Sequence, residues 1–196
     1  MTADRTTYVA LLRGVNVGGR NNVPMAALKH CFERIGLINV RTFIQSGNVI
    51  FESGEKGGAK LIGRIERAVS TTLGADSRVV LLSQAQLKVI VANAPAGWAR
   101  GAHLRRNIAF LRPSVTAANV LNQLAPKPGV DSVKAGKGVV YMDTAISSLQ
   151  KSGLRKLIGT PVYRELTIRT YGTCQKVLAL MGSRTDAGPY GTRRAD

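Results

Sequence analysis

Cysteine, histidine and acidic side chains are all scarce in this chain, and each scarcity removes a class of chemistry. Two cysteines, Cys31 and Cys174, cannot build a disulfide framework, so reduced thiols are the expectation. The two histidines, His30 and His103, have no partner at a ligand spacing, and no metal site is expected. Serine and threonine are plentiful, but no histidine or lysine is placed to activate them as nucleophiles. No apolar run approaches the ~20 residues of a membrane-spanning helix. The first seven residues lack the apolar stretch of a secretory signal, so the expected location is cytoplasmic, with no membrane partner. A hydrophobic content of 44% still supports a substantial core.

Scarcity of acid leaves a large positive balance. Against 28 Lys and Arg there are 11 Asp and Glu, a formal net charge of +17. The excess is spread along the chain, with 13 basic and 6 acidic residues in 1–100 and 15 and 5 in 101–196. Such a field draws phosphate-bearing partners, a small molecule or a nucleic acid, and it also serves plain solubility.

The chain is organised around residues 8–22. The apolar run Tyr8 to Leu12 reads as a buried strand, and Arg13 opens a glycine- and asparagine-rich loop, Gly14 to Asn22, that feeds a helix starting at Pro24. Glycines admit a ligand close to the main chain, and the N–H groups of a helix start have no intrahelical partner. This loop lacks the Lys-Ser or Lys-Thr ending of a P-loop, and its glycine spacing does not fit the dinucleotide fingerprint. No cofactor is expected.

Beyond the loop, Met25, Leu28, Cys31, Phe32 and Ile35 mark one helix face. Two β-like runs, 40–45 and 48–52, flank Ser46-Gly47 as a hairpin, and Leu61, Ile65, Val69 and Leu73 mark a second helix before strand 78–82. Ser83 caps a connecting helix over 84–92. The pattern then recurs: strand 107–112, a helix capped by Thr116, a hairpin around Ala135 to Gly138, a helical segment over roughly 147–159 weakened by Gly153, strand 165–169 and a final helix carrying Cys174. Each half is therefore β-α-β-β-α-β, without visible sequence identity between them. The expected fold is α+β: two ferredoxin-like halves with antiparallel or mixed sheets and helices outside. Expected boundaries are 1–83, a connecting helix and linker over 84–104, 105–182 with the last helix, and a flexible basic tail over 183–196; the expected state is monomer or weak homodimer. Consecutive apolar strand positions require both faces of each sheet to be covered, which disfavours an RNA-recognition module with its open, aromatic sheet face.

In this topology the loop after the first strand and the turn between the second and third emerge at one sheet edge, so 14–22 should meet 45–48, with Arg13 pointing into the cleft. The residues Tyr8 to Gly19, Val23-Pro24-Met25 and Thr42 to Phe51 together resemble the bacterial family called domain of unknown function 1697. The resemblance implies a two-part α/β protein and no known reaction, and it marks Arg13, Gly14, Asn16, Gly18, Gly19, Gln45, Ser46, Gly47 and Asn48 as signature positions. Thr167 to Thr173 resembles a second motif of that family, matching at Arg169 and Thr173 but departing at Thr170 and Gly172. With Arg20, these residues form the expected ligand-binding set. Three readings follow: binding of a phosphate-bearing ligand at this edge, an enzyme of unassigned class using the same edge, or a structural adaptor.

Overall fold

A computed structural model describes residues 5–16, 23–98 and 103–183. The order of elements is β1 (Thr6–Leu12), α1 (Met25–Arg34), β2 (Ile38–Phe43), β3 (Asn48–Ser53), α2 (Ala59–Leu73), β4 (Val79–Ser83), α3 (Gln84–Ala92), β5 (Leu104–Leu111), α4 (Ala117–Leu121), β6 (Asp131–Gly136), β7 (Val139–Ala145), β8 (Leu166–Thr170) and α5 (Tyr171–Gly182). The strands form two four-stranded antiparallel sheets, β2-β3-β1-β4 and β6-β7-β5-β8, each with the ferredoxin-like order. Among the described residues no helix is long and apolar enough to cross a membrane.

The sheets are buried on both faces, as the apolar strand runs require. α1 and α2 cover the outer face of the first sheet, with Leu28, Phe32, Leu61 and Ile65 packed on Ala10, Leu12 and Phe51. α4 covers part of the outer face of the second, through Val120 on Ala109 and Val140. The inner faces do not simply cover each other, because α3 and α5 lie between them. Leu87 and Ile90 from α3 and Val177 and Met181 from α5 share one core with Val9, Leu11 and Ile50 of the first sheet and Ile108, Phe110 and Tyr141 of the second. Tyr141 fixes this layer by donating its hydroxyl hydrogen to the Ile90 carbonyl (2.8 Å).

α3 and α5 are counterparts, and so are the elements before them. Leu12 N–H donates to the Gly47 carbonyl and Arg13 N–H to that of Arg78, while Leu111 donates to Gly138 and Arg112 to Glu165. Ala10 faces Val49 as Ala109 faces Val140. This register sets Val9-Ala10-Leu11-Leu12-Arg13 over Ile108-Ala109-Phe110-Leu111-Arg112, where Ala, Leu and Arg coincide, so the halves do share sequence at their first strands. Gly47 and Gly138 both adopt positive φ, +67° and +70°, at the tight turn before β3 and β7. A Cβ on Gly47 would stand 3.0 Å from Leu12 Cβ. Ser83 and Thr170 end β4 and β8 and cap α3 and α5.

The halves differ in one element. Where the first has the fifteen-residue α2, the second has three short 3₁₀ turns, Ile146–Lys151, Gly153–Leu157 and Val162–Glu165, in place of the helix expected over 147–159. The cause is a contact distant in sequence: Asp131 at the start of β6 accepts hydrogen bonds from Ser152 Oγ (2.7 Å), Thr144 Oγ1 (2.8 Å) and the backbone N–H of Gly153 (2.8 Å) and Lys127 (3.0 Å). A continuous helix would need the Gly153 N–H and could not present both Ser152 and Gly153 to that carboxylate. Burial pushes the Asp131 carboxyl up, but the hydrogen bonds from Ser152, Lys127, Gly153 and Thr144 outweigh it and hold the group below its ordinary value. A depressed carboxyl contributes stability in full above the unfolded value of about 4 and loses it as pH falls through the folded value. The protection of the amides over residues 150–154, taken against the unstructured rate at the same pH, should accordingly fall on acidification below about pH 4. Asp131→Asn should show the lowered protection already at neutral pH, and protection in the unchanged protein that does not vary with pH would refute the assignment.

Candidate functional site

Among the described residues, the start of the first loop meets the first hairpin. Asn16, in the left-handed region at φ +55°, donates from Nδ2 to the carbonyls of Val23 and Gln45 (both 3.0 Å) and accepts the Val23 N–H on Oδ1 (2.7 Å). It thereby ties the two ends of the glycine-rich loop to each other and to the hairpin. Gly18, Gly19 and Arg20, which belong to the expected set, lie outside the described residues.

Asn48 is fully buried on the inner face of the first sheet. Its Nδ2 donates to the Phe43 carbonyl (3.1 Å) and to Ser46 Oγ (2.9 Å), closing the turn, and its Oδ1 accepts Arg169 Nε (2.6 Å). Arg169 crosses from the second half, 121 residues away in sequence. All five of its N–H groups find acceptors. Nη1 serves Thr167 Oγ1 and the Ile168 carbonyl (both 2.9 Å), and Nη2 serves the carbonyls of Leu12 (2.7 Å) and Ser46 (2.6 Å). Burial pulls this guanidinium down to about 10, and among the described residues no carboxylate forms an ion pair with it. Arg169 is thus a partly buried cation satisfied by dipoles, which fastens the second half to the end of β1 and to the hairpin turn.

Cys174, one turn along α5, is buried, and burial pushes its thiol up to about 12 despite the nearby Arg169. It stays protonated and is no nucleophile. Thr173 is used by the cap, its N–H and hydroxyl both bonded to Thr170 Oγ1 (3.2 and 2.9 Å). Gln45 is exposed, and Ile44 beside it carries a strained φ of +47° with half its surface in solvent.

Arg13 does not point into the cleft between the loops; it reaches the second half. Its Nε donates to the Tyr163 carbonyl (3.0 Å), and its guanidinium carbon stands 4.9 Å from the centre of the Tyr163 ring. Both terminal nitrogens lack a protein acceptor among the described residues. The contrast with its counterpart is direct, because Arg112 is paired with Glu66 and, at 3.2 Å, with Glu165. Tyr163 and the carbonyls of Leu12 and Ser46 are members of this site that the sequence does not signal, since each is brought in by the other half of the fold.

No curated protein matches the chain. Among solved structures it is similar to a conserved bacterial protein, SP0830 from Streptococcus pneumoniae, with 29% identity and a TM-score of 0.79 over 91% of this chain and 99% of that one. The family model described as "Protein of unknown function (DUF1697)" matches residues 5–141, and the chain belongs to that family.

Proposed function

We propose that this is a binding protein for a phosphate-bearing ligand, held at the edge formed by the loop after β1 and the β2–β3 turn. The observation that carries the reading is the inequality of two equivalent arginines. Arg112 is neutralised by Glu66 and Glu165, whereas Arg13, at the same place in the other half, faces a carbonyl and a ring. The partly buried Arg169 adds a second positive charge with no carboxylate paired to it among the described residues. Arg169 has no donor left, so it contributes field; Arg13, directed at Tyr163 and not into the cleft, borders the edge and offers its two terminal nitrogens to phosphate oxygens from the side of the second half. Among the described residues, Gln45 and Gly14 complete the rim.

Titration with ATP and with a short single-stranded DNA tests this. Arg13→Ala should weaken binding of the ligand by roughly 1.5–3 kcal/mol, the range of a charge-assisted hydrogen bond, while Lys88→Ala, an exposed charge on α3, should change little. For the DNA, each neutralised phosphate should steepen the slope of log affinity against log salt by about 0.7. Equal, small effects from both substitutions would make the +17 charge a general surface property and leave the adaptor reading in its place. Turnover of ATP that depends on Arg13 would move the edge into the enzyme class.

A further inference from the structure

The replacement of α2 by 3₁₀ turns leaves room. Between those turns and the outer face of the second sheet lies a cavity of about 500 Å³, within the size range of small-molecule sites. In the first half the same place is filled among the described residues: Tyr8 and Phe51 lie with their ring centres 5.9 Å apart, Phe32 packs against Phe51 at 5.6 Å, and Leu61 and Ile65 of α2 close over them. The register shows what stands at the same sheet positions in the second half: Asn107 for Tyr8, Met142 for Phe51 and Arg105 for Thr6. Two aromatic rings have been exchanged for an amide and a thioether, and a threonine for a guanidinium.

The lining is complementary to one kind of molecule. Arg105 on β5 and Arg155 on the second 3₁₀ turn both line the cavity, and neither has an ion-pair partner among the described residues. The side-chain amides of Asn107 and Gln150 line it as well and have no hydrogen-bond partner among the described residues. Met142, Leu157 and Ile168 supply an apolar floor. The wall is fixed by the Asp131 hydrogen bonds to Ser152 and Gly153.

We infer that this cavity binds a small organic anion, a phosphate or carboxylate group carried on an apolar body about the size of a ring. The anion lies against Arg105 and Arg155, and the body rests on the floor that Tyr8 and Phe51 fill in the other half. Tyr163 lines this cavity and also carries Arg13, so the two places adjoin, and the same experiment separates them. Calorimetric titrations with phenyl phosphate, benzoate, benzyl alcohol and inorganic phosphate are the probes. Phenyl phosphate or benzoate should bind saturably, and whichever binds more tightly assigns the acidic group. Arg105→Gln and Arg155→Gln should each weaken that binding roughly tenfold or more. Benzyl alcohol and inorganic phosphate should each bind at least about tenfold more weakly than the better ring-bearing anion, one lacking the charge and the other the apolar body. Asn107→Tyr, which returns one of the rings, should abolish it. Absence of binding, binding unaffected by both arginine substitutions, or inorganic phosphate bound as tightly as phenyl phosphate would overturn the inference. So would loss of binding in Arg13→Ala with retention in the Arg105 and Arg155 variants, which would place the ligand at the first edge instead.

Discussion

Arg169→Ala should lower the unfolding free energy by about 3–5 kcal/mol, at the upper end of single substitutions. The substitution leaves Asn48 Oδ1 and the Leu12 and Ser46 carbonyls without the donor they now share, and each buried acceptor stranded in this way costs about 1–3 kcal/mol, less whatever water recovers. Arg169→Lys keeps the charge but has three donors in place of a planar fork, so it should recover only part of the loss. The counterpart residues offer a sharper test. By register, Leu82 occupies the place of Arg169 in the first half and Val139 that of Asn48 in the second. Replacing both polar groups by these apolar ones removes donor and acceptor together. The double variant Arg169→Leu, Asn48→Val should therefore lose less than the sum of the two singles, with a coupling of roughly 1–2 kcal/mol measured by urea unfolding. Additive losses would show that the guanidinium is held by the carbonyls alone and that Asn48 is a bystander.

What the sequence makes legible follows the range of the interactions involved. Local signals read correctly: the apolar run Tyr8 to Leu12 is a strand covered on both faces, Gly74 terminates α2 in the left-handed conformation, and Ser83 caps α3 with Gln86 completing a capping box. The meeting of the start of the first loop with the hairpin follows from topology alone, and the Asn16 to Gln45 hydrogen bond carries it. The repeat at the first strands is obscured because valine and isoleucine, and leucine and phenylalanine, exchange at its varying positions while satisfying the same burial. Arg169 is recognisable as part of a motif, but its role is set by acceptors up to 157 residues away. The same is true of Arg13 and Arg112, two arginines at equivalent positions after the first strand of each half, of which tertiary structure brings carboxylates to one. The middle layer of α3 and α5 is equally silent, since an amphipathic pattern states which face is buried and not against what.

The segment over 147–159 shows how far a non-local contact can override a local pattern. Ile146, Leu149, Leu154 and Leu157 sit at near-helical spacing, yet the chain breaks at Ser152-Gly153 and runs as 3₁₀ turns. Gly153 is the residue that permits it. A Cβ there would lie 1.6 Å from the Ala125 carbonyl oxygen, backbone against backbone, with no flexible side chain to yield. Gly153→Ala should therefore force the two segments apart, stretch or break the hydrogen bonds from Gly153 N–H and Ser152 Oγ to Asp131, and lower the unfolding free energy by about 3 kcal/mol or more, beyond the usual cost of overpacking. The glycine's backbone conformation is not what makes the substitution costly, since no left-handed φ is involved. The damage should also be local in a measurable way. The turns form the wall of the cavity lined by Arg105 and Arg155, so amide protection over 146–157 should fall by more than that of α1, which packs on the first sheet's outer core. Hydrogen exchange followed by mass spectrometry reads both regions at once. Uniform loss of protection across the two halves would mean that the segment at 153 unfolds only with the whole molecule, and that the second half has no independently yielding wall.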